Sequence, residues 1–258
     1  MQQQAIVARQ FGNTASAYLT STIHSQGADL AALRDIAARL GPHPTVLDLG
    51  CGAGHASFAV APTAKSVTAF DLSAEMLSVV SGAARERGLD NIVTRQGNVA
   101  SLPFADASFC MVVTRFSAHH WFDVPAALRE VKRVLKPRGV FVVIDITAPE
   151  NPLHDTTLQA VELLRDGSHV RDYRPSEWCA MLADAGFKSE RVRDWKLEMK
   201  FDEWTARMRT PAERVTAIRS LFGTAPEETL KYFGVQADSS FSIDSTLFKA
   251  RHDFGDIY

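Results

Sequence analysis

Val46-Leu47-Asp48-Leu49-Gly50-Cys51-Gly52-Ala53-Gly54 decides the reading of this chain. Val46 to Leu49 form a short apolar run, and glycine then stands at every second position through Gly54. Such a turn lets backbone approach a ligand closely, because glycine lacks a Cβ and tolerates positive φ. It leads into a helical stretch, whose N-terminus suits a polar or anionic ligand group. The spacing is G-x-G-x-G. His55 occupies the place where a dinucleotide fingerprint has its third glycine, which argues against a nicotinamide-dependent oxidoreductase.

Outward from this stretch, strands and helices alternate. Thr45 to Leu49 predicts a strand, about Ala53 to Pro62 a helix, and Ser66 to Phe70 a second strand ending at Asp71. Ser73 reads as the N-cap of a helix over Ala74 to Arg87 that Gly88 ends. Ile92 to Gln96 and Ser108 to Thr114 predict strands. Asp123 to Leu135 predicts a helix closed by Lys136-Pro137-Arg138-Gly139, before an apolar strand from Val140 to Ile146. This rhythm implies an α/β, doubly wound, mostly parallel sheet covered on both faces. Upstream, residues 5–40 read as helical, with Leu30, Leu33, Ile36, Ala37 and Leu40 on one face, stopped by Gly41-Pro42-His43-Pro44. Downstream, Pro149 and Pro152 mark a break. A helix over Pro175 to Ala185, a strand from Phe187 to about Phe201, short helices within 202–233 and a strand over Phe241 to Arg251 follow. The last two strands are expected to pair antiparallel at one sheet edge, with the helices free to cover the ligand crevice. The expected units are a helical lid over 1–40, a cofactor-binding core over 41–148 and a substrate region over 149–258 that carries the last two strands.

Composition narrows the function. The chain has 258 residues, 46% of them apolar, and a formal charge of −2, which gives no electrostatic reason for a nucleic-acid partner. No N-P-P-[YF] tetrapeptide, typical of amino-group methylation on bases, occurs. Met1-Gln2-Gln3-Gln4 lacks the regions of a signal peptide, and no apolar run reaches membrane-spanning length. Cys51, Cys110 and Cys179 are widely spaced, so neither a disulfide framework nor a zinc site is expected. A cytoplasmic protein without a metal, monomeric or homodimeric, is the expectation.

Four ordered stretches carry a resemblance: Val46–Gly54, Val67–Met76, Gly97–Phe104 and Leu128–Asp145. Together they resemble the class I S-adenosylmethionine-dependent methyltransferases, in the small-molecule branch that includes the ubiquinone and menaquinone C-methyltransferases. The likeness covers about residues 40–146, with a weaker echo near the N-terminus. It implies a Rossmann-like seven-stranded sheet with an antiparallel edge strand and a helical lid. It also implies S-adenosylmethionine as methyl donor, S-adenosylhomocysteine as product and a small-molecule methyl acceptor as partner. A protein that binds this cofactor without transferring a methyl group is the alternative.

The resemblance assigns Gly50, Gly52 and Gly54 to close passage of the backbone beside the cofactor's methionine part. Asp48 either helps hold the ammonium end or pins the loop through backbone N–H groups. Asp71, with Leu72 after it, takes the ribose hydroxyls in a bidentate manner, against the simpler role of an acidic residue at a helix start. Met76 lines the adenine or fills core. Asn98 stands where the family more often has Asp; its amide oxygen can accept from the adenine amino group, and the Val99 N–H faces the ring. Arg115 and Phe116, after the fourth strand, are placed beside the methyl group. His119 and His120 are candidates for a general base, or orient the loop and pack beneath Trp121. Tyr18 belongs to the lid over the cofactor, while His24 reads as part of an amphipathic helix. Cys51 reads as a small loop filler. Trp178, Trp195, Trp204, Met199, Met208, Phe222, Tyr232 and Phe233 supply either an apolar acceptor surface or the lid's own core.

Overall fold

The computed structural model describes residues 2–12 and 27–255. Among the described residues, α1 (Gln2–Gly12) and α2 (Ala28–Ala38) fall in the N-terminal stretch expected to be helical. The chain continues as β1 (Thr45–Leu49), α3 (His55–Val60), β2 (Ser66–Asp71), α4 (Ala74–Glu86), β3 (Ile92–Gln96) and β4 (Phe109–Arg115). A 3-10 turn over Ala118–His120 precedes α5 (Val124–Val134), β5 (Leu135–Thr147), α6 (Pro152–Arg165) and α7 (Pro175–Asp184). Then come β6 (Phe187–Met199), α8 (Phe201–Arg207), α9 (Ala212–Thr224), α10 (Glu227–Phe233) and β7 (Phe241–His252). The sheet order is β3-β2-β1-β4-β5-β7-β6. The first five are parallel; β7 runs antiparallel to both β5 and β6 and lies between them.

Strand alternation explains why both faces are covered. Leu47, Leu49, Val112, Phe141 and Val143 point into one core, with α5 and α7. Val46, Met111, Val113, Val140, Val142 and Ile144 point into the other, with α2 and α3. A central strand with no polar face needs helices on both sides. In α5 the buried positions Val124, Ala127, Leu128, Val131 and Val134 recur at helical spacing. Asp123 caps it by accepting from the Ala126 N–H at 2.8 Å.

Lys136-Pro137-Arg138-Gly139 does not separate helix from strand. Leu135 already pairs with Phe109 and Val140 with Met111, so residues 136–139 bulge out opposite one residue of β4. Helix α6 was unforeseen, because Pro152 reads as a break. Pro152 instead begins the helix, and the Asn151 side chain accepts from the Leu153 N–H at 2.9 Å. A third core of Ile146, Leu158, Met199, Phe201, Trp204, Phe222, Phe233 and Ile243 gathers α6 and α8–α10 beside β5, β6 and β7. Among the described residues no helix is long and apolar enough to cross a membrane.

Candidate active site

Strand order reverses between β1 and β4, and a crevice at the carboxyl ends of such strands is the usual ligand site of an open α/β sheet. A cavity of about 220 Å³ opens there. Asp48, Gly50, Gly52, Asp71, Leu72, Met76, Asn98, Val99, Arg115 and His120 all line it, so most residues singled out from the sequence meet in one place.

Each is held by local chemistry. Asp71 Oδ2 accepts from the Gly52 N–H at 2.9 Å, and Oδ1 from the Ser73 N–H at 2.9 Å. The carboxylate thus ties the glycine turn to the start of α4; burial raises its pKa, and these backbone donors oppose that. Asp48 is buried under the turn and accepts from Ser57 Oγ at 2.6 Å. Burial raises its pKa to about 6, against the pull of Ser57. Through Ser57, Asp48 fastens α3 to β1. Cys51 also lines the cavity; burial and the nearby Asp71 and Asp48 push its thiol well above the ordinary range, away from reactivity.

The three glycines differ. A Cβ on Gly50 (φ +63°) would lie 1.8 Å from Ser117 Oγ, so the turn and the loop after β4 touch only because no side chain intervenes. Gly52 (φ +50°) has open space beside it, in the cavity. Gly54 does not line the cavity. It caps α3 at φ 85°, and a Cβ would press on Phe58 and Val80 at 2.9 Å. Its reason is packing rather than the close passage of cofactor expected of it.

Asn98 Oδ1 accepts from the Ala100 N–H at 3.0 Å, a short turn that shapes the far wall. Met76 is buried and also lines the cavity. Arg115 is buried, its Nε paired with Asp29 of α2, and its guanidinium lies 4.5 Å over the Phe116 ring. Its Nη2 is buried without a hydrogen-bond partner. Phe116 has φ 50°, rare for a bulky residue, and forms a wall shared with a second cavity.

The two adjacent histidines part company. His119 lies outside the main cavity; its Nδ1 meets Asp145 Oδ1 at 2.6 Å and its N–H meets Oδ2 at 3.2 Å. Burial alone would depress it, but the Asp145 carboxylate, helped by Asp172 and Glu162, holds its pKa at about 9. His120 lines both cavities. Burial, then the neighbouring His119 charge, pushes its pKa down, so it stays neutral. Its Nδ1 faces the Ser168 carbonyl at 3.2 Å.

Sequence reasoning missed Gln3, Gln4 and Val7 of α1, together with Ser117 and Phe122. Gln3 Nε2 donates to the Ser168 carbonyl at 2.9 Å and Gln10 Nε2 to that of Met208 at 3.0 Å, so α1 straps the cleft to the later helices. The i, i+4 spacing of Gln3 and Val7 was the available signal. Tyr18 and His24 lie outside the described residues. Of the apolar residues expected beside the acceptor, Trp178 packs in the first sheet core and Trp195 against the second. Phe222, Tyr232 and Phe233 fill the third core, and Met199 and Trp204 do so while lining the second cavity. Among the described residues no group of metal-ligating side chains gathers.

A glycine turn after β1, a carboxylate ending β2 and a partly apolar wall after β3 line the ligand crevice of a doubly wound α/β fold. Residues 47–143 match the family described as methyltransferase domain. The chain is 47% identical over 201 residues to the uncharacterized protein YafE of Escherichia coli K12, covering 78% of this chain and 97% of that one. It is 36% identical over 240 residues to the uncharacterized methyltransferase YcgJ of Bacillus subtilis, covering 93% and 94%. The crystal structure of YcgJ superposes with a TM-score of 0.84 at 35% identity, over 89% of this chain and all (100%) of that one. A demethylmenaquinone methyltransferase of Chlorobaculum parvum shares 39% identity over 112 residues, 43% of this chain and 44% of its own length. The chain belongs to the methyltransferase family, and the oxidoreductase alternative falls.

Proposed function

We propose that the protein transfers a methyl group from S-adenosylmethionine to a small, partly apolar molecule. The observation that carries this reading is the single cleft whose lining gathers Asp48, Gly52, Asp71, Asn98 and Arg115, the last with an unpartnered Nη2. The residues fit the donor. Asp71 keeps a lone pair on each oxygen for the ribose hydroxyls, the space beside Gly52 admits the methionine part, and Met76 and Val99 offer adenine an apolar wall. Arg115 Nη2, buried and unsatisfied, suits a carboxylate.

S-adenosylmethionine, when bound, supplies a methyl group on a sulfonium leaving group. The chain's residues then have to align the acceptor and exclude water, which is worth several orders of magnitude in rate. Phe116, between the two cavities, is the residue placed to do both. His119, an imidazolium paired with Asp145, positions the loop and has no proton to accept. His120 is the base candidate. Its Nδ1 faces the Ser168 carbonyl at 3.2 Å and its Nε2 lies 3.9 Å from Asp166 Oδ2. It serves where the acceptor must lose a proton, and the region over 149–258 sets which acceptor that is.

Methyl-labelled S-adenosylmethionine, offered with separate pools of small molecules, peptides and nucleic acids, tests this. Label should pass to a small molecule. Transfer confined to peptide or nucleic acid would refute the proposal.

A further inference from the structure

The second cavity, about 70 Å³, lies behind Phe116 and His120. By the measure of one water per 10–15 Å³ it holds roughly five small polar atoms, enough for the end of a molecule rather than the whole of one. Ile146, Leu197, Met199 and Ile243 give it apolar walls.

Two polar atoms there have no partner. Asp172 is 1% exposed, and its Oδ2 is buried without a hydrogen bond. Its backbone is fixed on both sides by Gln159, which accepts from the Asp172 N–H at 3.1 Å and donates to its carbonyl at 2.7 Å. The neighbouring His169 does not satisfy the carboxyl. Its Nε2 is 3.9 Å away and gives its proton to Gln159 Oε1 at 3.1 Å. Trp204 is fully buried in the same lining, and its Nε1–H also lacks an acceptor. Trp178 has an orphaned indole too, but it lines neither cavity and stands alone in the sheet core. Two residues that line the second cavity thus each carry a buried polar atom without a partner, one an oxygen and one an N–H. Buried polar groups are otherwise almost always paired, so a pair of vacancies lining one cavity points to a ligand.

We propose that this cavity receives a neutral hydroxyl of the methyl acceptor, which donates to Asp172 and accepts from the Trp204 indole, while the apolar body extends past Phe116 toward the cofactor cleft. This rests on the methyltransferase reading and narrows its substrate class to hydroxyl-bearing, partly apolar small molecules. The cavity lining holds charges of both signs, Arg165 and Arg207 against Glu162 and Asp166. Glu162 is paired with Arg165, His119 with Asp145, and Asp166 is engaged by the Ser168 N–H and hydroxyl. Burial pushes the Asp172 carboxyl well above the usual range, against the opposing His119 charge.

The test is a titration of the protein, saturated with S-adenosylhomocysteine, with four probes: phenol, its methyl ether anisole, benzylamine and benzoate. The indole N–H resonance of Trp204, assigned through Trp204→Phe, is the readout. Phenol should shift it and bind at least tenfold more tightly than the other three. Asp172→Ala should lose phenol binding at least tenfold by this readout, and Trp204→Phe severalfold by calorimetric titration, while each still binds S-adenosylhomocysteine as the wild type does, which shows that it is folded. Equal binding of anisole, tighter binding of benzylamine or benzoate, or wild-type phenol binding by both variants would overturn the proposal. If the wild type fails to bind S-adenosylhomocysteine the methyltransferase reading fails instead, and phenol titrated into the protein alone still tests the hydroxyl site.

Discussion

At Gly50 and Gly52 the same substitution should have different consequences. Gly50→Ala drives a Cβ into Ser117 Oγ at φ +63°, so the turn cannot keep its place against the loop after β4, and both stability and cofactor binding should fall. Gly52→Ala meets nothing in the protein. It should cost only about 1 kcal/mol of stability for its positive φ, yet weaken S-adenosylhomocysteine binding about tenfold or more, because the methyl group stands in the cleft. Calorimetry paired with thermal unfolding separates the two. His119 carries a pH signature. Its folded pKa of about 9 lies above the ordinary imidazole value of 6.5, so its pairing with Asp145 contributes fully below pH 6.5 and is lost as pH rises through about 9. Wild-type Tm should fall over that window relative to His119→Gln; parallel curves would mean that the ion pair adds nothing. Asp71 and the glycines were legible in the sequence because their spacing is local. The different roles of His119 and His120 were not, since Asp145 and Ser168 reach them from other parts of the chain.

Elements were legible where their own residues define them. Ser73 was foreseen as an N-cap, and its hydroxyl does accept from the Met76 N–H at 3.2 Å. Ser73→Ala should lower unfolding free energy by about 1 kcal/mol, seen as a lower denaturant midpoint with unchanged slope; no shift would show that Asp71 alone fixes the start of α4. Elements were misread where one residue has two uses. Pro152 ends some segments and begins others, and only Asn151 before it marks a helix start. Lys136-Pro137-Arg138-Gly139 reads as a turn, and it does turn, but as a bulge within β5, because pairing between Phe109 and Leu135 is a tertiary matter. Which aromatic side chains fill the third core was likewise set by the packing of α6 and α8–α10, which no single segment contains.

Across the whole molecule, the doubly wound sheet turns a list of motifs into a cleft. The second cavity is lined from the loop after β4, from β5, β6, β7, α6 and α8, and from the segment before α7, which is why its Asp172 and Trp204 could not be joined in sequence. Helix α1 closes the arrangement through Gln3 and Gln10. Hydrogen exchange along α1 should slow when S-adenosylhomocysteine is added, and Gln3→Ala with Gln10→Ala should speed ligand release; unchanged exchange would show that α1 does not cover the bound state. The central claim is that this one cleft binds the methyl donor through Asp71. Calorimetric titration of the wild type and of Asp71→Ala with S-adenosylhomocysteine and with NAD tests it most directly. The wild type should bind S-adenosylhomocysteine and not NAD, with affinity lost by a hundredfold or more, about 2.7 kcal/mol, in Asp71→Ala. Equal affinity in the variant, or binding of NAD in place of S-adenosylhomocysteine, would contradict the account.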